Sequence, residues 1–429
     1  MINFEKKVLD NGLRVILAPL KSTEAVTLMA FVKVGSRWEV KKIGGISHFL
    51  EHMFFKGTKS RPEPGQVHRD LNKIGADHNA FTSKEMTGFW VKTSAKDFDV
   101  GLDVVSDILL EPLFKEEEIE KERGVILQEM DMYEDNLRVK VQSVLENIAL
   151  GDQPIGWDII GSKESVGAIK RNDLIKYEGE NYKAGNMVLV VAGNFEPEET
   201  FKKLNAIFGK IKKGTNNPCA KAKIGQKSPN VKIINKDSDQ THLAMAARAY
   251  DMYDEKRYVL NLLSVILGGN TSSRLFSEIR EKLGLAYYVY SWGEQYLDCG
   301  YLGMAAGIPH NKLGEVAEKI TDICKEIKDG KISEEDVSLA KSYLRGQMAL
   351  KFETSDEIAG FVAGQELFYN KIEQPTDIFK KIEKVTKEEI INAAREIFSP
   401  SKISLAAVGK QDAGKAEQKR YEAILAKLN

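Results

Sequence analysis

Two histidines and a glutamate lie within residues 48–52, which read HFLEH, and side chains of these types can bind and use a divalent metal. Residues 46–55 contain no proline and follow two glycines, so we expect a helix there. Side chains four residues apart lie on one helical face, which lets His48 and His52 direct their imidazoles at one point. Glu51 is three residues after His48 and therefore lies beside them.

This set of side chains predicts a hydrolytic zinc site. Zinc binds imidazole nitrogens and carboxylate oxygens in a tetrahedral arrangement, and catalytic sites keep one position open for water. The metal lowers the pKa of that water, and a nearby carboxylate can accept its proton. We therefore predict that His48 and His52 bind one zinc ion per chain, and that Glu51 is the catalytic base.

A third protein ligand is expected from a second, glutamate-rich segment. Residues 115–135 carry apolar positions at helical spacing and predict a long helix. Glu122 and Glu129 are seven residues apart and so lie on nearly one face of it. Residue types alone leave several acids of this helix as candidates: Glu116, Glu117, Glu118, Glu120, Glu122 and Glu129.

An internal repeat predicts two copies of one domain. Asp173–Gly193 aligns without gaps on Glu389–Gly409, and both segments read as a helix followed by an apolar strand. The same sequence offset places the strand-like segment Ala25–Val34 on Thr241–Tyr250. We therefore predict an α+β fold of two homologous domains, each a mostly antiparallel sheet with helices packed on one face.

The predicted domains are residues 1–212 and 229–429, and a lysine-rich, turn-forming linker at 213–228 joins them. In the second domain, the positions that correspond to His48 and His52 carry serine and glycine. The second domain is therefore expected to lack the zinc motif.

Composition excludes several functional classes. The chain has 429 residues, 42% hydrophobic and 29% charged, which is typical of a soluble globular protein. A formal net charge of −1 gives no overall attraction to nucleic acid or to an anionic membrane. No long apolar run predicts a membrane span, and the first residues lack the features of a signal peptide. Three cysteines without CxxC spacing are typical of thiols in a reducing compartment, so we expect a cytoplasmic protein.

Residues 44–58, GGISHFLEHMFFKGT, resemble the insulinase/pitrilysin family of zinc metallopeptidases, whose HxxEH motif inverts the HExxH of other zincins. The resemblance covers essentially the whole chain and is to the short, two-domain type of mitochondrial processing peptidase subunits and bacterial homologues. In that family a gap of fixed length separates the second histidine from the third ligand. The same gap counted from His52 covers positions 53–128 and ends immediately before Glu129. The resemblance thus implies that Glu129 is the third ligand and that Glu122 supports a ligand histidine.

The resemblance also implies substrate-binding residues. One segment is similar to the family's edge strand, which receives extended substrate. It consists of Asn79, Ala80, Phe81 and Thr82. Arg280 and Tyr287 resemble the family's pair that contacts substrate and helps to stabilise the transition state. The competing choice is Arg274 with Tyr288 or Tyr290.

The function implied by the resemblance is a zinc-dependent endopeptidase that hydrolyses peptide bonds in extended peptides or unfolded segments. The alternative is a non-catalytic peptide-binding or scaffold subunit of a heteromeric peptidase. Such subunits typically lack part of the zinc motif, whereas the motif is complete here. Long members of the family close four such domains around a chamber like a clamshell, and this chain corresponds to half of that shell. A homodimer is therefore expected, with a heterodimer with a related subunit as the alternative.

Overall fold

The computed structural model describes residues 1–429 and contains two β-sheets built from eleven strands. The strands are β1 (Glu5–Val8), β2 (Arg14–Pro19), β3 (Ala25–Val32), β4 (Asp77–Thr82), β5 (Thr87–Ser94), β6 (Met187–Gly193), β7 (Asn230–Asn235), β8 (Thr241–Ala249), β9 (Tyr288–Gln295), β10 (Gly300–Ile308) and β11 (Ile403–Gly409).

Fifteen α-helices accompany the strands, and none of them combines the length and the apolar composition needed to span a lipid bilayer. The helices are α1 (Ile46–Phe54), α2 (Gln66–Lys73), α3 (Phe98–Leu110), α4 (Glu116–Asp135), α5 (Leu137–Leu150), α6 (Lys163–Ala168), α7 (Arg171–Asn181), α8 (Pro197–Phe208), α9 (Arg257–Gly268), α10 (Leu313–Lys328), α11 (Glu334–Lys351), α12 (Ser355–Tyr369), α13 (Pro375–Lys384), α14 (Lys387–Ile397) and α15 (Lys415–Leu425). A π-helical segment spans Phe276–Lys282. The two helices expected to carry the metal ligands are present as α1 and α4.

Residue contacts divide the chain into two compact units, and neither unit is continuous in sequence. Unit 1 consists of Met1–Met130, Asp158–Ala220 and Met348–Thr376, and unit 2 consists of Asp131–Trp157, Lys221–Gln347 and Asp377–Asn429. Helix α12, from the second half of the sequence, therefore belongs to unit 1. Helix α5, from the first half, belongs to unit 2.

The sheet of unit 1 has the strand order β1-β2-β6-β3-β5-β4, in which only β2 and β6 are parallel neighbours. Strand β6 is central, and all seven of its residues are buried. Successive side chains point to opposite faces, so Met187 and Leu189 enter one core while Val188 and Val190 enter another. Burial on both faces explains why β6 reads as a continuous apolar run.

Helices cover both faces of this sheet. On one face, α1, α3 and α7 share a core with residues such as Leu28 and Val91. On the other face, Ala359 and Val362 of α12 pack against the sheet.

The sheet of unit 2 has the strand order β7-β11-β8-β10-β9. Helix α5 covers one face, where Val141 and Leu145 share a core with Ala246 of β8. The opposite face carries α10, whose Cys324 Sγ lies 3.8 Å from Met304 Sδ of β10.

The two sheets confirm the duplication predicted from the sequence. Without β1, the strands of unit 1 correspond one by one, in order, to those of unit 2. The sequence offset that aligns the two copies carries both ends of α7 onto the ends of α14, and both ends of β6 onto the ends of β11. The parallel strands also share one register, since Arg14 pairs with Val188 and Asn230 pairs with Ser404.

The α+β class with two homologous, mostly antiparallel sheets is therefore confirmed. Helices cover both faces of each sheet and not one face as predicted, because α12 and α5 each add a layer to the sheet formed mainly by the other half. The division into 1–212, 213–228 and 229–429 stays a prediction, because the repeat groups residues by sequence whereas the compact units group them by contact. The two groupings differ because α5 and α12 each lie in the unit formed mainly by the other half.

Truncation of Leu145 tests the packing of α5. Its side chain is fully buried, so Leu145→Ala removes contacts and leaves a cavity. We expect the free energy of unfolding to fall by about 2–5 kcal/mol. Val139→Ala on the same helix is the control, because Val139 is 37% exposed and its truncation should change stability by about 0.5 kcal/mol or less. Urea denaturation measures both, and equal stabilities would show that α5 is not packed in solution.

Candidate metal centre

The apolar side of α1 sets the direction of the HxxEH side chains. The apolar residues of this helix are at most 1% exposed and belong to the core of unit 1: Ile46, Phe49, Leu50, Met53 and Phe54. With that side buried, the helix turns His48, Glu51 and His52 away from the core. The side chains of His48 and His52 are 12% and 21% exposed, so both are largely shielded but reachable.

A glycine and a buried glutamate define the start of α1. Gly45 has a φ of 91°, and a Cβ there would lie 2.3 Å from the carbonyl oxygen of Ile160, so only glycine fits. The carboxylate of Glu39 accepts hydrogen bonds from the backbone N–H groups of Gly45 at 2.7 Å and Ser47 at 2.9 Å. These bonds satisfy two donors at the helix N-terminus. Burial raises the pKa of Glu39 to about 7, although both hydrogen bonds oppose the rise.

Helix α4 brings two of its glutamates to the histidines of α1. Glu129 Oε2 lies 3.7 Å from His48 Nε2 and 3.6 Å from His52 Nε2, and Glu122 contacts the other side of His52. Among the remaining candidate acids, Glu118 is buried and paired with a lysine of its own helix. The others are exposed: Glu116, Glu117 and Glu120.

Three ligand atoms form a nearly equilateral triangle that fits zinc. His48 Nε2 and His52 Nε2 are 3.3 Å apart, and Glu129 Oε2 completes the triangle at the distances given above. Tetrahedral zinc with metal–ligand distances of about 2.1 Å requires ligand atoms about 3.4 Å apart. Two imidazole nitrogens and one carboxylate oxygen are also the donor set of a catalytic zinc site with a fourth position for water. The residues present therefore fit a zinc ion.

Glu122 and Lys56 hold the imidazole of His52 in place. His52 Nδ1 is 2.9 Å from Glu122 Oε1, and Lys56 Nζ is 2.6 Å from Glu122 Oε2. A proton on Nδ1 that is donated to the carboxylate leaves Nε2 free to bind a metal. Burial raises the pKa of Glu122, but the bonds to His52 and Lys56 outweigh burial and hold that pKa below its usual value.

The pKa values of the two histidines are shifted in opposite directions. Burial, and then the neighbouring His52, lowers the pKa of His48 to about 3, so its imidazole is neutral at physiological pH, as metal binding requires. Burial also lowers the pKa of His52, but the bond to Glu122 outweighs it and leaves the pKa raised. His48 Nδ1 is buried and makes no hydrogen bond.

Thr82, the last residue of β4, holds the side chain of Glu51. The hydroxyl of Thr82 donates a hydrogen bond of 2.6 Å to Glu51 Oε2. Burial raises the pKa of Glu51, which makes its carboxylate a stronger base. The structure therefore keeps Glu51 out of the ligand triangle and ties it to the strand predicted to bind substrate.

Strand β4 has a free edge, and it contains the predicted substrate-binding residues Asn79, Ala80, Phe81 and Thr82. Ser83 N–H donates to Met86 O, so the odd-numbered residues of β4 pair with β5 and the even-numbered ones face the open edge. The exposed N–H of Ala80 is bonded by the side chain of Asn79 at 2.9 Å. The ring of Phe81 points to the opposite face of the sheet and packs on Phe31.

Arg280 and Tyr287 lie in unit 2 and have no side-chain hydrogen bond or ion pair. The Arg280 guanidinium lies 5.9 Å from the centre of the Tyr287 ring, and Tyr287 is 79% exposed. The competing residues are already engaged. Arg274 pairs with an aspartate of α11, Tyr288 bonds a histidine of β8, and Tyr290 accepts from a glutamine of α5. These contacts favour Arg280 and Tyr287 as the residues free to meet a substrate.

Three supporting residues were not predicted in their roles. Lys56 follows His52 by four residues, so helical spacing could have indicated that it reaches the same glutamate. The resemblance predicts a substrate-binding role for Thr82, and nothing in the sequence connects Thr82 to Glu51. Glu39 precedes the helix by several residues and carries no signal of its own, because its role depends on how the chain turns at Gly45.

Comparison with known sequences finds two family models that together span most of the chain. The model described as "Insulinase (Peptidase family M16)" matches residues 14–163, and the one described as "Peptidase M16 inactive domain" matches residues 168–344. An uncharacterized zinc protease of Rickettsia bellii is 34% identical over 94% of this chain and 97% of its own length. The uncharacterized zinc protease YmxG of Bacillus subtilis is 31% identical over 91% of this chain and 94% of its own length.

Solved structures share the fold. A protease from Helicobacter pylori superposes with a TM-score of 0.89 at 25% identity, covering 95% of this chain and all of that one. A peptidase M16 inactive domain from Pseudomonas fluorescens superposes with a TM-score of 0.88 at 19% identity, covering 96% of this chain and 99% of that one. The similarity to the Pseudomonas fluorescens structure, at this low identity, concerns the fold alone.

Substitution of the α4 glutamates tests their places around the metal. Glu129→Ala removes a corner of the triangle, so we expect no stoichiometric zinc after dialysis. Glu122→Ala leaves the triangle intact but frees the His52 ring, and zinc affinity should fall by about 10–100-fold. Glu117→Ala, on an exposed part of the same helix, is the control. Zinc content and chelator competition measure all three, and a larger loss in Glu122→Ala than in Glu129→Ala would reverse the two roles.

Proposed function

Because the chain belongs to the insulinase family of peptidases (peptidase family M16), we propose that it is a zinc-dependent endopeptidase acting on extended peptides or unfolded segments. The observation that carries the proposal is the ligand triangle of His48, His52 and Glu129, with the carboxylate of Glu51 held outside it by Thr82. A binding protein without catalysis has no need for a separate, oriented base.

The three triangle residues would hold one zinc ion per chain. Bound there, zinc would polarise the scissile carbonyl and acidify the attacking water. Glu122 and Lys56 hold the His52 ring so that its Nε2 is a corner of the triangle. The remaining chemistry belongs to side chains of this chain.

Glu51 is proposed to move the proton. Its carboxylate accepts a proton from the attacking water and then passes it to the nitrogen of the leaving amine. The hydroxyl of Thr82 donates to Oε2 of Glu51, so the carboxylate keeps one orientation while Oε1 is available for the proton. Burial raises the pKa of Glu51, which favours its use as a base near neutral pH.

Substrate is proposed to bind as an additional strand on β4. Ala80 offers its N–H and C=O at the free edge, and the Asn79 side chain must release that N–H when a peptide pairs there. Main-chain pairing of this kind requires an extended peptide but little particular sequence. Arg280 and Tyr287, exposed and free of polar partners, are proposed to contact the substrate and stabilise the developing oxyanion.

The competing proposal is a non-catalytic subunit that binds peptides. The family model matching residues 168–344 is described as inactive, and the second copy has no HxxEH motif. The first half retains both histidines, the base and the third ligand, so the inactive description applies to one copy only. We propose further that the protein works in the cytoplasm as a homodimer, or paired with a related subunit, without nucleic acid or membrane partners.

Substitution of Glu51 tests its proposed role as the catalytic base directly. Glu51→Gln keeps the shape of the side chain but removes its basicity, so we expect kcat for a quenched fluorescent peptide to fall by about 10²–10⁴-fold. Zinc content should stay unchanged, because Glu51 is not in the triangle. Glu117→Gln on α4 is the control and should behave as the natural protein. Unchanged turnover in Glu51→Gln would contradict the role of base, and loss of zinc would assign Glu51 as a ligand.

Complementation tests the proposed homodimer. In a dimer whose sites are shared, the zinc side of each site comes from one chain and Arg280 with Tyr287 from its partner. Glu51→Gln protein and Arg280→Ala/Tyr287→Phe protein should each be inactive, and mixing them should restore activity through one intact site per mixed dimer. Subunit exchange is followed independently by fluorescence energy transfer. Exchange without recovered activity would rule out shared sites.

A further inference from the structure

A pair of histidines lies on the same strand as the substrate-binding residues and takes no part in the proposed zinc chemistry. His78 is on β4, and its Nε2 is 2.9 Å from His68 Nδ1 on α2. The His68 ring stacks on Phe55 at 5.4 Å with planes 8° apart. His68 is exposed and His78 half-buried, so the pair is open to a ligand.

The pair faces the same side of the sheet as the catalytic base. Side chains alternate along a strand, so His78, Ala80 and Thr82 share one face of β4. Thr82 on that face bonds Glu51, while Phe81 packs on the opposite face. A residue of a bound strand that lies directly opposite His78 would direct its side chain to the same face, with Cβ atoms about 5 Å apart.

The hydrogen bonds of the pair prepare it to receive an anion. His78 Nδ1 is 3.4 Å from the carbonyl of Ala76, so this nitrogen is the donor and Nε2 accepts from His68 Nδ1. This order leaves His68 Nε2 without a partner. A carboxylate at that atom would accept a hydrogen bond from Nε2–H of a protonated His68, whose Nδ1–H still donates to His78. The positive charge of His68 would then be stabilised by a hydrogen bond at each ring nitrogen.

The charges nearby also favour an anion. Burial, then His78 and then Lys56, which follows α1, lower the pKa of His68, so its protonated form depends on an anion bound beside it. The ammonium of Lys56 is itself paired with Glu122. The acidic residue of α2, Asp70, is bound by Arg61 and Lys73. Asp77, next to His78, lies on the opposite face of β4 by strand alternation.

We propose that His68 and His78 form a specificity subsite that selects an aspartate or glutamate of the substrate at the position paired opposite His78. This inference rests on the proposed function, because it requires a peptide on β4. The selected residue lies four positions from the one opposite Thr82, about 13 Å along the strand. Its immediate neighbours in the peptide turn to the other face and carry no such preference.

A peptide scan tests the subsite. A single glutamate is moved stepwise through quenched peptides with one fixed scissile bond, and each peptide is compared with its glutamine twin. We expect one position at which glutamate raises kcat/KM by about tenfold over glutamine, as for a charge-assisted hydrogen bond. His68→Asn and His78→Asn should each remove the preference. Arg69→Gln is the control, since Arg69 is an adjacent cation of α2 that bonds Pro64 instead.

A binding measurement separates this subsite from the peptidase activity. Labelled forms of the same peptides are titrated with Glu51→Gln protein, with and without the His68→Asn change, and followed by fluorescence anisotropy. Tighter binding of the glutamate peptide than of its glutamine twin, lost in the His68→Asn variant, supports the subsite even if the natural protein cleaves no peptide. Cleavage with equal rates for glutamate and glutamine at every position overturns the subsite and leaves the peptidase proposal standing. His68 is exposed, so its variant serves if His78→Asn does not fold.

Discussion

Burial of the apolar side of α1 is the constraint on which the candidate metal centre depends. A helix of nine residues is marginal by itself, and its stability here comes from packing against the sheet of unit 1. That packing fixes the rotation of the helix, and rotation decides where His48, Glu51 and His52 point. The bonds from Glu39 to the first turn fix the position of the helix along its axis. The candidate ligands are therefore placed mainly by residues outside the triangle.

Acidic side chains are crowded at the candidate metal centre. Three carboxylates, those of Glu51, Glu122 and Glu129, lie around two imidazoles, and Lys56 pairs with Glu122. Glu129 raises the pKa of Glu51 further, in addition to the effect of burial, because like charges repel at short range. A divalent ion within the triangle would relieve this repulsion. The same crowding of acids would be costly in a site built for structure alone.

Much of this arrangement was predictable from the sequence, and the rest depends on contacts that no local pattern encodes. The HxxEH spacing predicts α1 and its polar face, and the offset between the copies predicts the matching sheets. Helical spacing could not choose Glu129 among the acids of α4, since the choice depends on how two helices cross; the resemblance supplied it. The bond from Thr82 to Glu51 follows from the approach of β4 to α1, which sequence separation hides.

The exchange of α5 and α12 between the two halves affects the order in which the protein can fold during synthesis. Unit 1 needs residues up to Thr376, and the backbone of Ile2 is held on both sides by the side chain of Gln374. Until α12 leaves the ribosome, one apolar face of the first sheet has nothing to cover it. Contacts between such distant residues also slow folding. The nascent chain therefore exposes an apolar sheet face during most of translation. Such a surface favours aggregation and is the kind that chaperones bind.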